Sequence, residues 1–236
     1  MLKRSDTLII IPAYNESASI LHVIQDIREN APYEDIIVIN DGSHDNTSIL
    51  ARSADVYVVD LPVNLGIGGA LQTGYLFAVE NGYNFAMQFD ADGQHKGSEI
   101  GRLIDRIKQG DVDAVIGSRF AVEDKNAFRS TFARRIGKYF FSWLIRIITG
   151  WRLTDPTSGF TIVNRKAMTI FSKRFPEDHP PPETIVLLKK AGCQLAEVPA
   201  LMQERISSTS SITLTGSIYF MVKVTLAILV DLLRKI

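Results

Sequence analysis

Thr7-Leu8-Ile9-Ile10-Ile11-Pro12-Ala13-Tyr14-Asn15-Glu16 sets an apolar, β-branched run against a proline and then a polar, turn-forming tail. The run reads as a strand covered on both faces, because it lacks the polar alternation of a half-solvated one. Ser17 to Glu29 follows with Ile20, Ile24 and Ile27 at helical spacing. The unit then recurs. Asp35-Ile-Ile-Val-Ile-Asn40 is a second buried strand, ended by Asp41-Gly42-Ser43, and Asn46-Thr47 is placed to cap a short helix. Strands at Val56–Leu61, Phe85–Asp90 and Ala114–Ser118 alternate with helices at Gly68–Asn81 and Ser98–Gln109. Such alternation predicts an α/β fold with a mostly parallel central sheet flanked by helices. Ligands of these sheets sit beyond the carboxyl ends of the strands. The segments there (12–16, 40–43, 90–94 and 118–120) are all polar or turn-forming.

After Phe120 the rhythm changes. Ala127 to Thr149 is a long helix mixing basic and aromatic residues, and Ser158 to Asn164 reads as a strand. Pro180-Pro181-Pro182 is expected to forbid regular structure ahead of a helix starting near Glu183. Gln194 to Val198 is a further strand, Ser207 to Ser211 a flexible loop, and Leu214 to Ile236 a strongly apolar helix. The 236 residues suit one large domain, or one domain with an appendage. Lys plus Arg and Asp plus Glu both number 26, so no global charge points to nucleic acid. Between Lys125 and Arg152, however, seven basic residues occur with no acid, a stretch suited to facing anions. A single cysteine, Cys193, excludes an intramolecular disulfide and a cysteine-based zinc site. No signal peptide and no uninterrupted run of 18 apolar residues are visible.

Four motifs fall at the predicted strand ends. In Asp90-Ala91-Asp92-Gly93-Gln94 two carboxylates and an amide oxygen could converge on one hard cation such as Mg²⁺ or Mn²⁺, or the segment could be an acidic turn. Tyr14 and Glu16 could hold a nucleobase by stacking and hydrogen bonding, or simply end a strand and cap a helix. Asp41 could accept bonds from a base or ribose, or form a plain Asp-Gly turn. Asn64 to Ala70 offers a Gly-rich helix opening, an anion cradle in principle. It matches neither G-x-G-x-x-G nor a Walker A loop, which argues against a Rossmann dehydrogenase and a P-loop NTPase. His95 is a loop polar group or a residue approaching the metal or diphosphate.

Taken in order with Gly117-Ser-Arg-Phe120 and Asp155-Pro-Thr-Ser-Gly-Phe160, these motifs resemble the family-2 glycosyltransferases of GT-A fold. The likeness is to the branch that moves sugars onto polyprenyl phosphates, such as dolichol- or undecaprenyl-phosphate sugar synthases, and covers roughly residues 5 to 211. It implies that Pro12, Tyr14, Glu16 and Asp41 hold the nucleotide, that Asp90 contacts ribose or sugar, and that Asp92 and Gln94 bind Mg²⁺ or Mn²⁺ on the diphosphate. Ser118 and Arg119 would sit beside the donor or acceptor phosphate, Gly159 under the sugar pocket, and Glu183 near the acceptor. Arg205, Ser210 and Ser211 fall in the segment that in this branch reads Arg-x-x-Gly-x-Ser-Lys, but Ser208 replaces the Gly and Ser211 the Lys. Asn40 stands where an acid often precedes Asp-Gly-Ser. The Gln-x-x-Arg-Trp signature of processive relatives is absent, favouring transfer of one sugar.

The resemblance thus implies an inverting, metal-dependent transferase, with Asp92, Arg119, Glu183 and Arg205 in the chemistry. It would move a sugar from a nucleotide-sugar, a UDP-sugar in the first instance, to a polyprenyl phosphate at the cytoplasmic face of the membrane. Residues 1–211 would form the catalytic domain, with an interfacial helix at about 129–150, and 212–236 a helix joining the membrane or a partner. That partner would be a small membrane protein or a second copy of the chain. Two alternatives stay open: a soluble family-2 enzyme with a hydroxyl acceptor, whose base would be Glu183 or an acid near Asp155, and a non-catalytic GT-A scaffold for a membrane partner.

Overall fold

The structure, a computed structural model, describes residues 5–120, 132–177, 180–203 and 214–233, with side chains described for all of these except 132–138, 180 and 214–220. Seven strands, β1 (Thr7–Ala13), β2 (Asp35–Asn40), β3 (Tyr57–Asp60), β4 (Phe85–Gln88), β5 (Ala114–Ser118), β6 (Thr161–Asn164) and β7 (Leu195–Pro199), form one sheet in the order β3-β2-β1-β4-β6-β5-β7. All pairings are parallel except those of β6, which runs antiparallel to both β4 and β5.

Alternation along β1 divides the core. Ile9 and Ile11 face α1 (Ile20–Asn30), α2 (Thr47–Ser53) and α4 (Ile100–Ile107), while Leu8 and Ile10 face α3 (Gly66–Glu80) and α6 (Arg165–Lys173). Each such buried Ile or Leu contributes about 1.5–3 kcal/mol. A third cluster joins α5 (Phe132–Thr149), α7 (Pro180–Lys190) and α8 (Leu214–Leu233) through Phe141, Ile145, Ile185, Val224 and Ile228.

The three prolines do not exclude regular structure; they form the first turn of α7. First-turn N–H groups have no intrahelical acceptor, so their absence removes no helix bond. Helix α6 has no counterpart among the elements expected from the sequence. It is capped by Asn164, whose side chain accepts from the Ala167 N–H, and it packs Met168 and Phe171 against Tyr75 of α3. The expected strand at Ser158–Asn164 is ordered as strand only from Thr161.

Candidate active site

The order reverses at β1, whose neighbours β2 and β4 lead away in opposite directions. A cavity of about 230 Å³ opens at the carboxyl ends of these strands, lined by Pro12, Tyr14, Glu16, Asp41, Asp90 and Asp92, together with Ala13, Ala91 and Ile67 and Ala70 of α3. Five separate polar side chains singled out by motif are therefore brought to one wall, where crossover sheets bind their ligands.

Each is set by local bonds. Asn15 takes a left-handed backbone (φ 55). Its N–H donates to Ser43 Oγ at 2.9 Å, and its side-chain oxygen accepts from the His44 N–H at 2.9 Å. The Glu16 N–H donates to Thr47 Oγ1 at 2.8 Å, and its carboxylate accepts from Ser19 Oγ at 2.7 Å, so Glu16 both anchors α1 and lines the cavity. Tyr14 stays 44% exposed with its ring edge-on to His44, a surface open to a flat ligand. Asp41 is buried and accepts from the Leu65 N–H at 2.7 Å, pinning the opening of α3. That opening is not a bare anion cradle, since the Gly68 N–H donates to the Glu177 carbonyl at 3.1 Å.

The Asp90–His95 turn is built as a frame. The Asp90 N–H donates to His95 Nδ1 at 3.0 Å, and Nε2 lies 3.5 Å from the Asp90 carboxylate. His95 is buried rather than a surface loop residue, stacked on Phe160 at 4.7 Å and edge-on to Phe89. Burial lowers its pKa, outweighing the pull of Asp90 and Asp92, so the ring is neutral and accepts at Nδ1. Asp92 is buried and its Oδ1 accepts from the Gln94 N–H at 2.9 Å. Gly159 meets this turn without a side chain: a Cβ there would lie 2.6 Å from Gln88 Nε2 and 3.3 Å from Asp90 Oδ2. The donors of the turn are oxygens, which fits a hard divalent cation. Among the described residues no three His, Cys, Asp or Glu converge as a closed metal cage. An ion here would therefore take its remaining positions from ligand oxygens and water, as Mg²⁺ commonly does.

Ser118 ends β5 and Arg119 follows it. Ser118 Oγ bonds Thr154 Oγ1 at 2.6 Å. Arg119 grips Asp155 through Nε (2.6 Å) and Nη2 (2.8 Å), and Nη2 also reaches Thr157 Oγ1 at 3.0 Å. Burial pulls the Arg119 pKa down, but the bonds and charge of Asp155, with Asp90 beyond, raise it on balance. Sequence reasoning placed Arg119 and Asp155 in separate motifs and missed their pairing, which no spacing rule reveals.

Glu183 does not join the first cavity. It is buried on α7 and lines a second cavity of about 500 Å³ with Lys173, Arg174, Glu177, Lys223 and Asp231. Arg205, Ser210 and Ser211 lie outside the described residues.

The chain matches the family model for glycosyl transferase family 2 over residues 8–171. It is 29% identical to a UDP-N-acetylglucosamine–dolichyl-phosphate N-acetylglucosaminyltransferase of Methanococcus voltae, over 81% of this chain and 83% of that one. It is 34% identical to an undecaprenyl-phosphate mannosyltransferase of Micrococcus luteus, over 65% and 64% of the two chains. Its backbone resembles glucosyl-3-phosphoglycerate synthase from Mycobacterium tuberculosis, solved with Mn²⁺, UDP and glucosyl-3-phosphoglycerate, with a TM-score of 0.69 and 20% identity over 95% of this chain and 78% of that one.

Proposed function

The chain belongs to glycosyl transferase family 2, and from that premise we propose that it transfers one sugar from a UDP-sugar to the phosphate of a polyprenyl lipid at a membrane surface, with inversion at the anomeric carbon. The observation that carries this reading is the meeting of Tyr14, Glu16, Asp41, Asp90 and Asp92 on one cavity at the switch point of the sheet. The polyprenyl-phosphate activities named for the relatives favour the acceptor, and UDP in the names of the Methanococcus relative and the mycobacterial neighbour favours the donor.

In this mechanism Tyr14 stacks on the base, while Pro12, Glu16 and Asp41 shape the nucleotide pocket. Asp90, held by His95, meets the ribose or sugar. Asp92 and Gln94 would hold Mg²⁺ or Mn²⁺, which would supply Lewis-acid charge at the leaving diphosphate. An oxygen of the acceptor phosphate attacks C1, the C1–O bond to the diphosphate breaks, and the electron pair leaves on the nucleotide. A phosphate monoester is anionic near neutral pH, so the protein's tasks are alignment and charge stabilisation rather than proton removal. The candidate acids agree with this: Asp155 is fully buried in an ion pair, and Glu183 lines another cavity. Neither stands as a general base for a hydroxyl acceptor. Ser118 and Arg119, which are not among the residues lining that cavity, would meet the donor or acceptor phosphate, and Arg205, Ser210 and Ser211, outside the described residues, would meet the acceptor.

Peripheral binding at the cytoplasmic face is part of the proposal. Tyr139, Trp143 and Ile147 expose one stripe on α5, and Val222, Leu226, Leu229 and Leu233 another on α8, which packs against α5. No described helix is long and apolar enough to cross a membrane. Aromatic and aliphatic stripes on docked helices suit the headgroup boundary. The deciding experiment offers labelled UDP- and GDP-sugars, Mg²⁺ or Mn²⁺, and polyprenyl phosphate in detergent. Label in the organic phase from a UDP-sugar is expected. Nucleotide release without lipid label would overturn the acceptor assignment.

A further inference from the structure

Glu197 lies on β7, opposite Ile116 of β5 in a parallel ladder that extends from Ala114↔Leu195 to Ser118↔Pro199. The ladder holds the strand without help from this side chain. The carboxylate instead accepts three backbone contacts from one turn: Oε1 and Oε2 from the Thr154 N–H at 3.0 and 2.8 Å, and Oε1 from the Asp155 N–H at 2.8 Å. These N–H groups belong to no helix or strand, so Glu197 supplies their partner.

The turn so fixed carries the fully buried Asp155. Its carboxylate receives Arg119 Nε and Nη2, the Arg119 backbone N–H at 3.2 Å, and Thr157 Oγ1 at 3.0 Å. Two of these four donors belong to the guanidinium, a bidentate grip that fixes its plane against the carboxylate. The same loop runs on to the Asp90 turn: Ser158 Oγ donates to the Gly117 carbonyl at 2.7 Å, and a Cβ on Gly159, four residues past Asp155, would lie 3.3 Å from Asp90 Oδ2.

We propose that Glu197 is a positioning residue for sugar transfer, fixing the Thr154–Asp155 turn and, through Asp155, the guanidinium of Arg119 beside the reacting phosphates. The inference rests on the transferase reading above. A fixed cation aimed at developing charge stabilises a transition state without reorganising, whereas a mobile one does not. Support of this indirect kind is typically worth 10–100-fold when removed from metal sites, and small misplacements cost similar factors elsewhere.

The test is a double-mutant cycle on the full chain, comparing Glu197→Gln, Arg119→Lys and the double variant. Thermal melting and UDP affinity with Mn²⁺ are measured beside turnover. Glu197→Gln should lower kcat about 10-fold or more while leaving donor KM, UDP affinity and melting near those of the unaltered protein. Glu197→Ala should lose more, because it accepts no bond at all. In the Arg119→Lys background, Glu197→Gln should cost less than about twofold, since its route of action is already cut. Equal losses in both backgrounds, or no loss in the first, would overturn the proposal. The cycle is run on lipid transfer and on donor hydrolysis. An unaltered protein that hydrolyses the donor but does not label lipid would overturn the acceptor reading alone, with the cycle still read on hydrolysis. One that does neither would overturn the transferase reading and this inference with it.

Discussion

Asp90 and Asp92 stand two residues apart on one turn, yet their surroundings differ. Asp90 is framed by His95, Gln88 and Gly159, whereas Asp92 is fixed by the Gln94 N–H and faces the same cavity. If Asp92 is the cation ligand, Asp92→Ala should cut turnover by roughly 10²–10³-fold, the scale of losing one charge-stabilising group. Turnover near that of the unaltered protein, with circular dichroism unchanged, would remove Asp92 from that role. Asp45 accepts from the Ser17 and Thr47 N–H groups, next to the loop that carries Glu16. Burial would raise its pKa, but bonds from Thr47 and Ser17 outweigh this and hold it at about 2 instead of 3.8. A folded-state pKa below the unfolded one adds stability that is complete above about pH 4 and is lost as pH falls toward 2. Asp45→Asn should therefore flatten the acid limb of the stability profile in that window. Denaturant titrations at stepped pH read this directly, and parallel acid limbs for the two proteins would contradict it.

At the scale of elements, α3 is held by absence of side chains as much as by their presence. A Cβ on Gly74 would stand 2.3 Å from Ile10 Cγ2 on β1, so helix and strand meet nearly backbone to side chain. Gly74→Ala gains about 1 kcal/mol of helix propensity, but the overlap should dominate and destabilise by about 1–3 kcal/mol. A urea midpoint that rises instead would show that the contact relaxes freely. Strand positions were legible because Ile36 to Ile39 and Leu8 to Ile11 are uninterrupted apolar runs. Helix α6 was not. Its Arg165-Lys166 start and Ser172-Lys173 end are polar, and only the tertiary partner Tyr75 shows why Met168 and Phe171 face inward. The triproline stretch misled for a complementary reason: proline opposes a helix interior but suits its first turn, and sequence alone does not say which turn is first.

For the whole molecule, the exposed stripes of α5 and α8 make a prediction that does not depend on removing either helix. Val224 and Ile228 of α8 are fully buried against α5 and α7, so truncating α8 would disturb packing as well as the surface. Replacing Trp143 and Leu226, both exposed, with Glu should lower flotation with anionic vesicles several-fold while leaving UDP affinity unchanged, because apolar area is what such a surface inserts. Flotation equal to that of the unaltered protein would set the membrane assignment aside.

The α/β class and the placing of Tyr14, Glu16, Asp41, Asp90 and Asp92 just beyond apolar runs were determined by sequence alone, since hydrophobic runs and the turn chemistry that stops them are local, whereas the roles expected of these residues came from the family resemblance. Only the tertiary structure decided that β6 runs antiparallel, that Glu183 faces a separate cavity, and that Glu197, Asp155 and Arg119 form one chain of contacts. Those depend on which distant segments meet. Arg119 and Asp155 are 36 residues apart, and Asp155 and Glu197 are 42. No local pattern encodes such a pairing; it arises when β5 and β7 align and a buried carboxylate must find its donors.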